Sequence, residues 1–373
     1  MWPGSQTAEV EMKRMVSIAG LLLVVLLAAA CGSSTATSAP AHSTVAKPVT
    51  WVDEPVTFVA GGITIYATFR HPVDSSGEFP AVLLIAGSGP TDRNGNSKLA
   101  PGPIDTLKTL ADWLSSDGVA SLRYDKLGSG QTGLGPYSLN LAGIGIGPFQ
   151  QESLAALDFL AKQNGVNDKR IGVFGHSEGA LFALLLATGN DGTVPPIHAV
   201  GLLEPLSVRY LDLLTNQVDG QINNELTAGY FTESRAAQVK GALAAAISQL
   251  RAHGPTPLNL PAGLSGVFNA STELFLYQAD KYDPAALAAQ LSPGMPVLVT
   301  CSNADQQVSC AEVNHLIMGL TKANAHTDFV KLIGVDHVLK VDPSGAATDY
   351  TKPLPFSSQL KSALSKFVQL NLK

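Results

Sequence analysis

A serine between two glycines is the first feature of this sequence that indicates chemistry. Gly175, Ser177 and Gly179 stand between a short β-rich run and a helix-forming run. In this strand–turn–helix setting a tight turn projects the hydroxyl above the strand end, and the helix N-terminus behind it favours negative charge. A plain Gly/Ser turn is the alternative for so short a pattern. The setting favours a nucleophile at Ser177.

A serine nucleophile needs a base that takes its proton. His337 follows the last predicted strand, in the loop from 334 to 340, and we predict it as the base. The other histidines after Ser177 are less suitable. His315 lies on a predicted helix and His326 at the start of a predicted strand. His198 precedes the acidic residue predicted below, and His253 lies in the inserted helical segment described below.

An acidic residue must orient the base, and with the nucleophile in such a turn the chain order is Ser, then Asp or Glu, then His. Asp305 follows the predicted strand 296–300 and is our predicted acid. Glu204, which follows the strand 197–203, is the alternative. Asp336 adjoins His337 in sequence, where two side chains seldom face each other, so we expect it to be a solvated loop charge.

A developing oxyanion needs preorganised N–H donors. We predict that one is the amide of Glu178, directly after the nucleophile. The loop 86–90 follows a predicted strand, and its small residues let the backbone approach a substrate. We assign the second donor to the amide of Ser88, with Gly89 as the neighbouring choice and a plain Gly-rich turn as the alternative.

Strands and helices alternate along most of the chain, which predicts an α/β fold with a doubly wound, mostly parallel sheet. The predicted strands are 56–59, 63–69, 80–85, 119–124, 170–174, 197–203, 296–300 and 328–332. The first two should form a hairpin across Gly61-Gly62. The predicted helices are 104–114, 149–160, 180–187 and 356–370.

The alternation breaks between 206 and 294, where helical patterns such as 235–250 replace strands. We interpret 206–294 as a helical cap inserted between core segments 51–205 and 295–373, over the sheet edge where ligands bind. A second independent domain is the alternative. Its apolar side chains either line an acyl pocket or form the cap's own core; they are Leu211, Leu213, Leu214, Leu243, Ile247, Leu250 and Phe268.

The composition is that of a globular protein with a sizeable core. The chain has 373 residues, of which 45% are hydrophobic and 14% charged, with a net charge of −6. No cluster of Lys and Arg appears, which argues against a nucleic-acid partner. The oligomeric state is left open by these features.

The first 50 residues are typical of an export signal and a tether. Lys13 and Arg14 precede an apolar run, 15–30, and Cys31. That run is shorter than a membrane span of about 20 residues and suits a signal peptide. Residues 27–31 are similar to a bacterial lipobox, so we expect cleavage directly before Cys31, lipidation of Cys31, and anchoring to the outer face of the cell membrane; the predicted lipoprotein signal region is 1–31. Cleavage at an Ala-x-Ala site, with secretion, is the alternative, and 32–50 predicts a flexible tether.

Three further motifs, together with the serine motif, resemble the α/β-hydrolase superfamily, and more narrowly a branch of bacterial serine esterases. The branch carries Gly-Ser-Gly-Pro-x-Asp-Arg-x-Gly, matched at 87–95, and Arg-Tyr-Asp-Lys-x-Gly-x-Gly, matched at 123–130. Its histidine loop ends in His-Val-Leu-Lys, matched at 337–340. The resemblance covers about residues 52–373. It departs at Leu127, where the branch usually has Arg.

The resemblance implies an α/β-hydrolase fold and hydrolysis of small-molecule or lipid-like carboxylic esters through an acyl-enzyme, with no metal or organic cofactor. Ser177 would attack, His337 would act as base and then acid, and Asp305 would orient the imidazolium. A peptidase or acyltransferase on the same triad, and a non-catalytic binding lipoprotein, are the alternatives. We interpret four charged residues of the motifs as a network that holds the oxyanion loop: Asp92, Arg93, Arg123 and Asp125.

Cys301 and Cys310 lie on either side of Asp305. In an exported protein they can form a disulfide that fixes the acid loop; two reduced thiols are the alternative. Neither stands in a nucleophile turn, and three scattered cysteines do not make a zinc site.

Overall fold

The computed structural model describes residues 49–73, 77–189 and 195–373. The predicted signal peptide 1–31 with Cys31, and all but the last two residues of the predicted tether 32–50, lie outside the described residues. None of the described helices combines the length and the apolar character needed to cross a bilayer.

Eight strands form one sheet in the spatial order β1-β2-β4-β3-β5-β6-β7-β8. The strands are β1 Trp51–Ala60, β2 Ile63–Pro72, β3 Phe79–Ile85, β4 Ala120–Tyr124, β5 Val166–His176, β6 Ala199–Leu203, β7 Pro296–Ser302 and β8 His326–Leu332. Neighbouring strands are parallel throughout the segment β4-β3-β5-β6-β7-β8 of this order. The other two pairs, β1 with β2 and β2 with β4, are antiparallel. The predicted mostly parallel sheet is confirmed.

Strands β3 and β6 in the middle of the sheet are apolar along their whole length because both faces are covered. All seven residues of β3 are buried, as are the five residues of β6. At the edge, β1 and β2 form the predicted hairpin but are longer than the apolar pattern indicates. Its turn, Gly61-Gly62, has φ values of 56° and 80°, a region that glycine enters without strain.

The described helices of eight residues or more outside the insertion lie on the two faces of the sheet. They are α1 Thr106–Ser116, α2 Gly147–Ala161, α3 Gly179–Thr188, α9 Cys310–Lys322 and α10 Ser358–Asn371. Helices α1 and α10 pack in one apolar core with Leu84 and Phe174, and the others share the core of the opposite face. This arrangement is the predicted double winding.

Residues 206–294 contain only helices and loops: α4 Tyr210–Thr227, α5 Glu233–Arg251, α6 Ala262–Ser265, α7 Glu273–Ala279 and α8 Pro284–Ala288. Helices α4, α5 and α7 pack on one another. Helix α8 instead packs against α3 and α9, where Gly319 of α9 lies so close to Ala285 that a side chain would overlap with it. The last part of the predicted cap therefore belongs to the helical layer of the core.

Candidate active site

Ser177 lies in a sharp turn between β5 and α3. Its φ is 54°, a left-handed conformation that non-glycine residues rarely adopt. The Ser177 amide donates to Leu203 of β6, and its carbonyl accepts from the amide of Leu206. A Cβ at Gly175 would overlap with the backbone of Gly179. The glycines of the motif therefore allow β5 and α3 to meet while the neighbouring strand holds the strained serine.

The three residues predicted for nucleophile, base and acid form one line of hydrogen bonds. His337 Nε2 lies 3.0 Å from Ser177 Oγ, and His337 Nδ1 lies 2.7 Å from Asp305 Oδ2. The second oxygen of Asp305 accepts from the amides of Gln307 and Val308. Burial tends to raise the pKa of Asp305, but His337 and these two amides outweigh it and hold that pKa below its usual value. The base therefore faces an ionised carboxylate.

Glu204, the alternative acid, lies next to Asp305 instead of replacing it. Its side chain is fully buried, and Thr300 Oγ1 donates to Glu204 Oε1 at 3.2 Å, while Glu204 Oε2 has no hydrogen-bond partner among the described residues. Burial and the charge of Asp305 raise the pKa of Glu204 well above its usual value. Because Asp305 is ionised, the raised pKa of Glu204 favours its neutral, protonated form. This second carboxyl supports the acid that meets His337.

Asp336 is not the solvated loop charge that the sequence suggested. It is fully buried, its Oδ1 accepts from the amide of Lys340, and burial raises its pKa to about 6. The loop folds back on itself between these two residues, which removes Asp336 from water. Asp336 thus shapes the loop that carries His337.

His176, the middle residue of the motif before the serine, was not singled out from the sequence. Its Nε2–H donates to the His337 carbonyl at 2.7 Å. Burial and the neighbouring His337 lower its pKa to about 4, so the imidazole is neutral at physiological pH. Strand β5, which ends at His176 directly before Ser177, therefore also fixes the backbone of His337.

Ser177 and His337 line a cavity of about 170 Å³, where the structure also places Ser88, one of the two predicted oxyanion donors. Ser88 and Gly87 line this cavity, and a Cβ at Gly87 would lie 3.1 Å from the Cβ of Ser177. Within the described residues, the amides of Ser88 and Glu178 donate no hydrogen bond. Glu178 stands at the start of α3, where the first amides of a helix lack an intrahelical acceptor. Both predicted donors are thus available for a ligand oxygen.

The charged residues of the two sequence motifs bind one another and hold the oxyanion loop. Arg93 donates to both oxygens of Asp125, at 3.0 and 2.6 Å, and its backbone amide also donates to Asp125. Asp92 accepts from the amides of Asn94 and Asn96. Arg123 donates to the Asn94 side chain. These bonds attach the loop to the end of β4, as the sequence interpretation proposed.

The apolar cap residues do not line the cavity at Ser177. Instead, Ile104, Thr106 and Leu107 at the start of α1, together with Val338, form its apolar wall. The seven cap positions named from the sequence belong to the packed apolar core or lie against it. The expectation that they form the cap's own core is the one that the structure supports.

A disulfide joins Cys301 at the end of β7 to Cys310 at the start of α9. It closes a loop with a sequence separation of 9 residues, and Asp305 lies within that loop. In the described residues no cluster of three or more His, Cys, Asp or Glu side chains could hold a metal ion.

Removing this disulfide should lower both stability and activity. For a loop of this size the chain-entropy relation gives roughly 2–3 kcal/mol of stabilisation. We expect the Cys301→Ala/Cys310→Ala variant to lose about that much free energy of unfolding, measured by urea titration. Dithiothreitol should shift the wild-type midpoint in the same direction and leave the double variant unchanged. A wild-type midpoint that is insensitive to reductant under unfolding conditions would contradict the expectation.

A buried ion pair and a buried glutamate near Ser177 were not predicted from the sequence. Lys126 and Glu178 form an ion pair of 3.0 Å with both side chains at most 5% exposed. Glu152 of α2 lies close enough for Lys126 to act on its charge, yet burial raises the pKa of Glu152 to about 8. The only sequence signal was polar residues within otherwise apolar surroundings.

Glu152 should make the protein less stable as the pH rises. Its pKa is about 8 in the folded chain, against about 4.3 unfolded, so the native state binds the extra proton between these values. The stability that this proton contributes is fully present below the unfolded-state pKa of Glu152. It is lost as the pH rises through the folded-state pKa. We expect Glu152→Gln to raise the free energy of unfolding by about 3 kcal/mol at pH 7, and by much less at pH 5. Urea titrations at both pH values test this, and an equal gain at both would contradict it.

Comparison with known proteins agrees with this architecture. No protein-family model matches the chain. Esterase EstD of Thermotoga maritima is 33% identical over 144 residues, which are 37% of this chain and 32% of the relative. The matched segment thus spans about a third of that relative's length.

Solved structures match over most of the chain at low sequence identity. Est1E of Butyrivibrio proteoclasticus, solved with ferulic acid bound, has a TM-score of 0.52 and 16% identity, covering 85% of this chain and 98% of its own. The esterase Pf2001 of Pyrococcus furiosus has a TM-score of 0.52 and 13% identity, covering 87% and 92%. The α/β hydrolase GrgF of a Penicillium species has a TM-score of 0.51 and 15% identity, covering 86% and 99%. These likenesses show that the chain has the α/β-hydrolase fold.

Proposed function

We propose that this protein is a serine hydrolase that cleaves carboxylic esters through an acyl-enzyme on Ser177. The observation that carries the proposal is the line of hydrogen bonds from Asp305 through His337 to the hydroxyl of Ser177. A neutral imidazole between a hydroxyl and an ionised carboxylate activates the hydroxyl as a nucleophile. The nearby amides of Ser88 and Glu178 suit the oxyanion that such an attack creates.

Acylation begins when Ser177 Oγ attacks the ester carbonyl carbon and His337 Nε2 takes the hydroxyl proton. The carbonyl oxygen becomes an oxyanion, which accepts hydrogen bonds from the amides of Ser88 and Glu178. Asp305 stabilises the imidazolium through Nδ1. The carbon–oxygen bond to the leaving alcohol then breaks, and His337 returns its proton to that alcohol.

Deacylation repeats these steps with water. His337 removes a proton from a water molecule, whose oxygen attacks the acyl carbon. The bond to Ser177 Oγ breaks, and the proton passes from His337 to the serine. A carboxylic acid leaves, and the resting enzyme is restored.

The cavity size favours a short acyl group. The cavity beside Ser177 has a volume of about 170 Å³, and the packed cap residues do not line it. We therefore expect acetyl to butyryl esters to react faster than palmitoyl esters.

The purified protein should be assayed on p-nitrophenyl esters from acetyl to palmitoyl, beside an aminoacyl-p-nitroanilide. Ester turnover with a short-chain optimum is the expected result. Amide turnover at a comparable rate would favour a peptidase, and transfer to an added alcohol in preference to water would favour an acyltransferase. Absence of turnover, with no fluorophosphonate labelling of Ser177, would leave a binding protein.

We further propose that the protein is exported and lipid-anchored to the outer face of the membrane through Cys31, or secreted if cleavage occurs before an unlipidated residue. The Cys301–Cys310 disulfide supports an oxidising compartment. Metabolic labelling with an alkyne fatty acid tests the anchor. Label that is present in the wild type and absent from Cys31→Ala is expected, and unlabelled protein in the culture medium would indicate secretion instead.

A further inference from the structure

Lys126 connects the two segments that carry the proposed oxyanion donors. Its ammonium donates to the Gly87 carbonyl at 2.6 Å and to Glu178 Oε1 at 3.0 Å. The residue is 4% exposed, and its Nζ lies 5.5 Å from the centre of the Phe149 ring. A buried cation that holds these two segments is well placed to control how the donors point.

The bond to Gly87 acts on the donor of Ser88. The Gly87 carbonyl and the Ser88 amide belong to the same planar trans peptide, so the two groups point in opposite directions. Fixing the oxygen on Lys126 therefore fixes the direction of the Ser88 N–H. A charge-assisted hydrogen bond to the oxygen also polarises the peptide, which strengthens its N–H as a donor.

The bond to Glu178 acts on the second donor. Glu178 Oε1 accepts from Lys126, and Glu178 Oε2 accepts from the Tyr210 hydroxyl at 2.6 Å. This side chain is thus held at both oxygens, which limits movement of the residue whose amide should face the oxyanion. Tyr210 is the first residue of α4, so the same carboxylate also links the turn at Ser177 to the cap.

The Lys126 ammonium is balanced by the Glu178 carboxylate alone, without a second charged carboxylate. Glu152 is the other acidic residue that acts on Lys126, and burial favours its neutral form at physiological pH. One ammonium and one carboxylate, that of Glu178, remain in this buried site. The ammonium is therefore paired and stays directed at Gly87, while the Phe149 face covers it.

We propose that Lys126 is a positioning residue that orients the Ser88 and Glu178 amides toward the oxyanion of the reacting ester. This inference rests on the proposed ester hydrolysis. Lys126 does not line the cavity at Ser177, and its ammonium bonds the Gly87 carbonyl and the Glu178 side chain, so it would act only through these two groups.

The test compares Lys126→Met, which keeps the length and loses the charge, with Lys126→Gln, which keeps an uncharged donor. With p-nitrophenyl butyrate we expect kcat to fall roughly 100-fold in the first and about 10-fold in the second, while KM changes little. A trifluoromethyl ketone, which forms an oxyanion on a catalytic serine, should bind more weakly by the same factors. A purely structural role would not make inhibitor affinity follow kcat.

Lys340→Met is the matched control. Lys340 is also buried, and its ammonium also donates to two backbone carbonyls, those of Tyr350 and Lys352. We expect it to lower the urea midpoint without changing the ratio of inhibitor affinity to KM. If Lys126→Met does not fold, Lys126→Gln carries the comparison.

The outcomes separate this inference from the function on which it rests. An inactive, folded wild type would overturn the proposed hydrolysis itself. An active wild type with a folded Lys126 variant that retains full kcat and full inhibitor affinity would overturn only the role of Lys126.

Discussion

Replacing Ser177 with alanine should abolish ester turnover, with kcat reduced by roughly 10⁴–10⁶-fold. The reason is that the hydroxyl at 3.0 Å from His337 Nε2 is the atom that would bond to the acyl group. Residual turnover would come from the amide donors and from binding alone. The measurement is kcat on p-nitrophenyl butyrate with the purified protein.

Ser116→Ala is the control for this change. Ser116 is exposed on α1, and its hydroxyl donates only to the Asp112 carbonyl in the same helix. We expect it to retain wild-type kcat. If Ser177→Ala also retained most of the activity while folded, Ser177 would not be the nucleophile.

Replacing Asp305 with asparagine should reduce kcat by about 10⁴-fold. The amide group can place a donor against His337 Nδ1, which leaves the ring proton on Nε2 and makes that nitrogen unable to accept from Ser177. KM should change little because Asp305 is fully buried behind the histidine. Circular dichroism and the urea midpoint establish that the variant folds.

Glu204→Gln is the contrasting variant, because both carboxyls lie together in the fold. The raised pKa of Glu204 favours its neutral form beside Asp305, and glutamine is also neutral and keeps an oxygen that can accept from Thr300 Oγ1. We expect kcat to fall by less than about tenfold, the worth of one hydrogen bond. The reverse order, with Glu204→Gln inactive and Asp305→Asn active, would make Glu204 the acid.

The sequence predicted best those features that depend on neighbours in the chain. The Ser177 turn is determined by glycines two residues away, and the alternation of strands and helices along the chain follows from its apolar runs. His337 and Asp305 were found because each follows a strand of a parallel sheet, and such strands end at one edge.

Contacts between distant segments explain what the sequence did not predict. Lys126 and Glu178 are 52 positions apart, and Glu204 and Thr300 are 96 positions apart. The periodicity of a local sequence segment does not predict contacts between residues so far apart in the chain. Asp336 was misjudged because its burial depends on how the His337 loop folds back, and the cavity wall at α1 depends on a loop without regular pattern.

The central claim is an acyl-enzyme on Ser177, and rapid mixing with p-nitrophenyl acetate followed by an acid quench tests it most directly. When deacylation is the slower step, we expect a burst of p-nitrophenol that approaches one mole per mole of enzyme. Mass spectrometry of the quenched protein should find the acetyl group on the peptide that contains Ser177, and Ser177→Ala should show neither burst nor acetylation. Steady turnover with the acetyl group on a different residue, or turnover that persists in Ser177→Ala, would contradict the account.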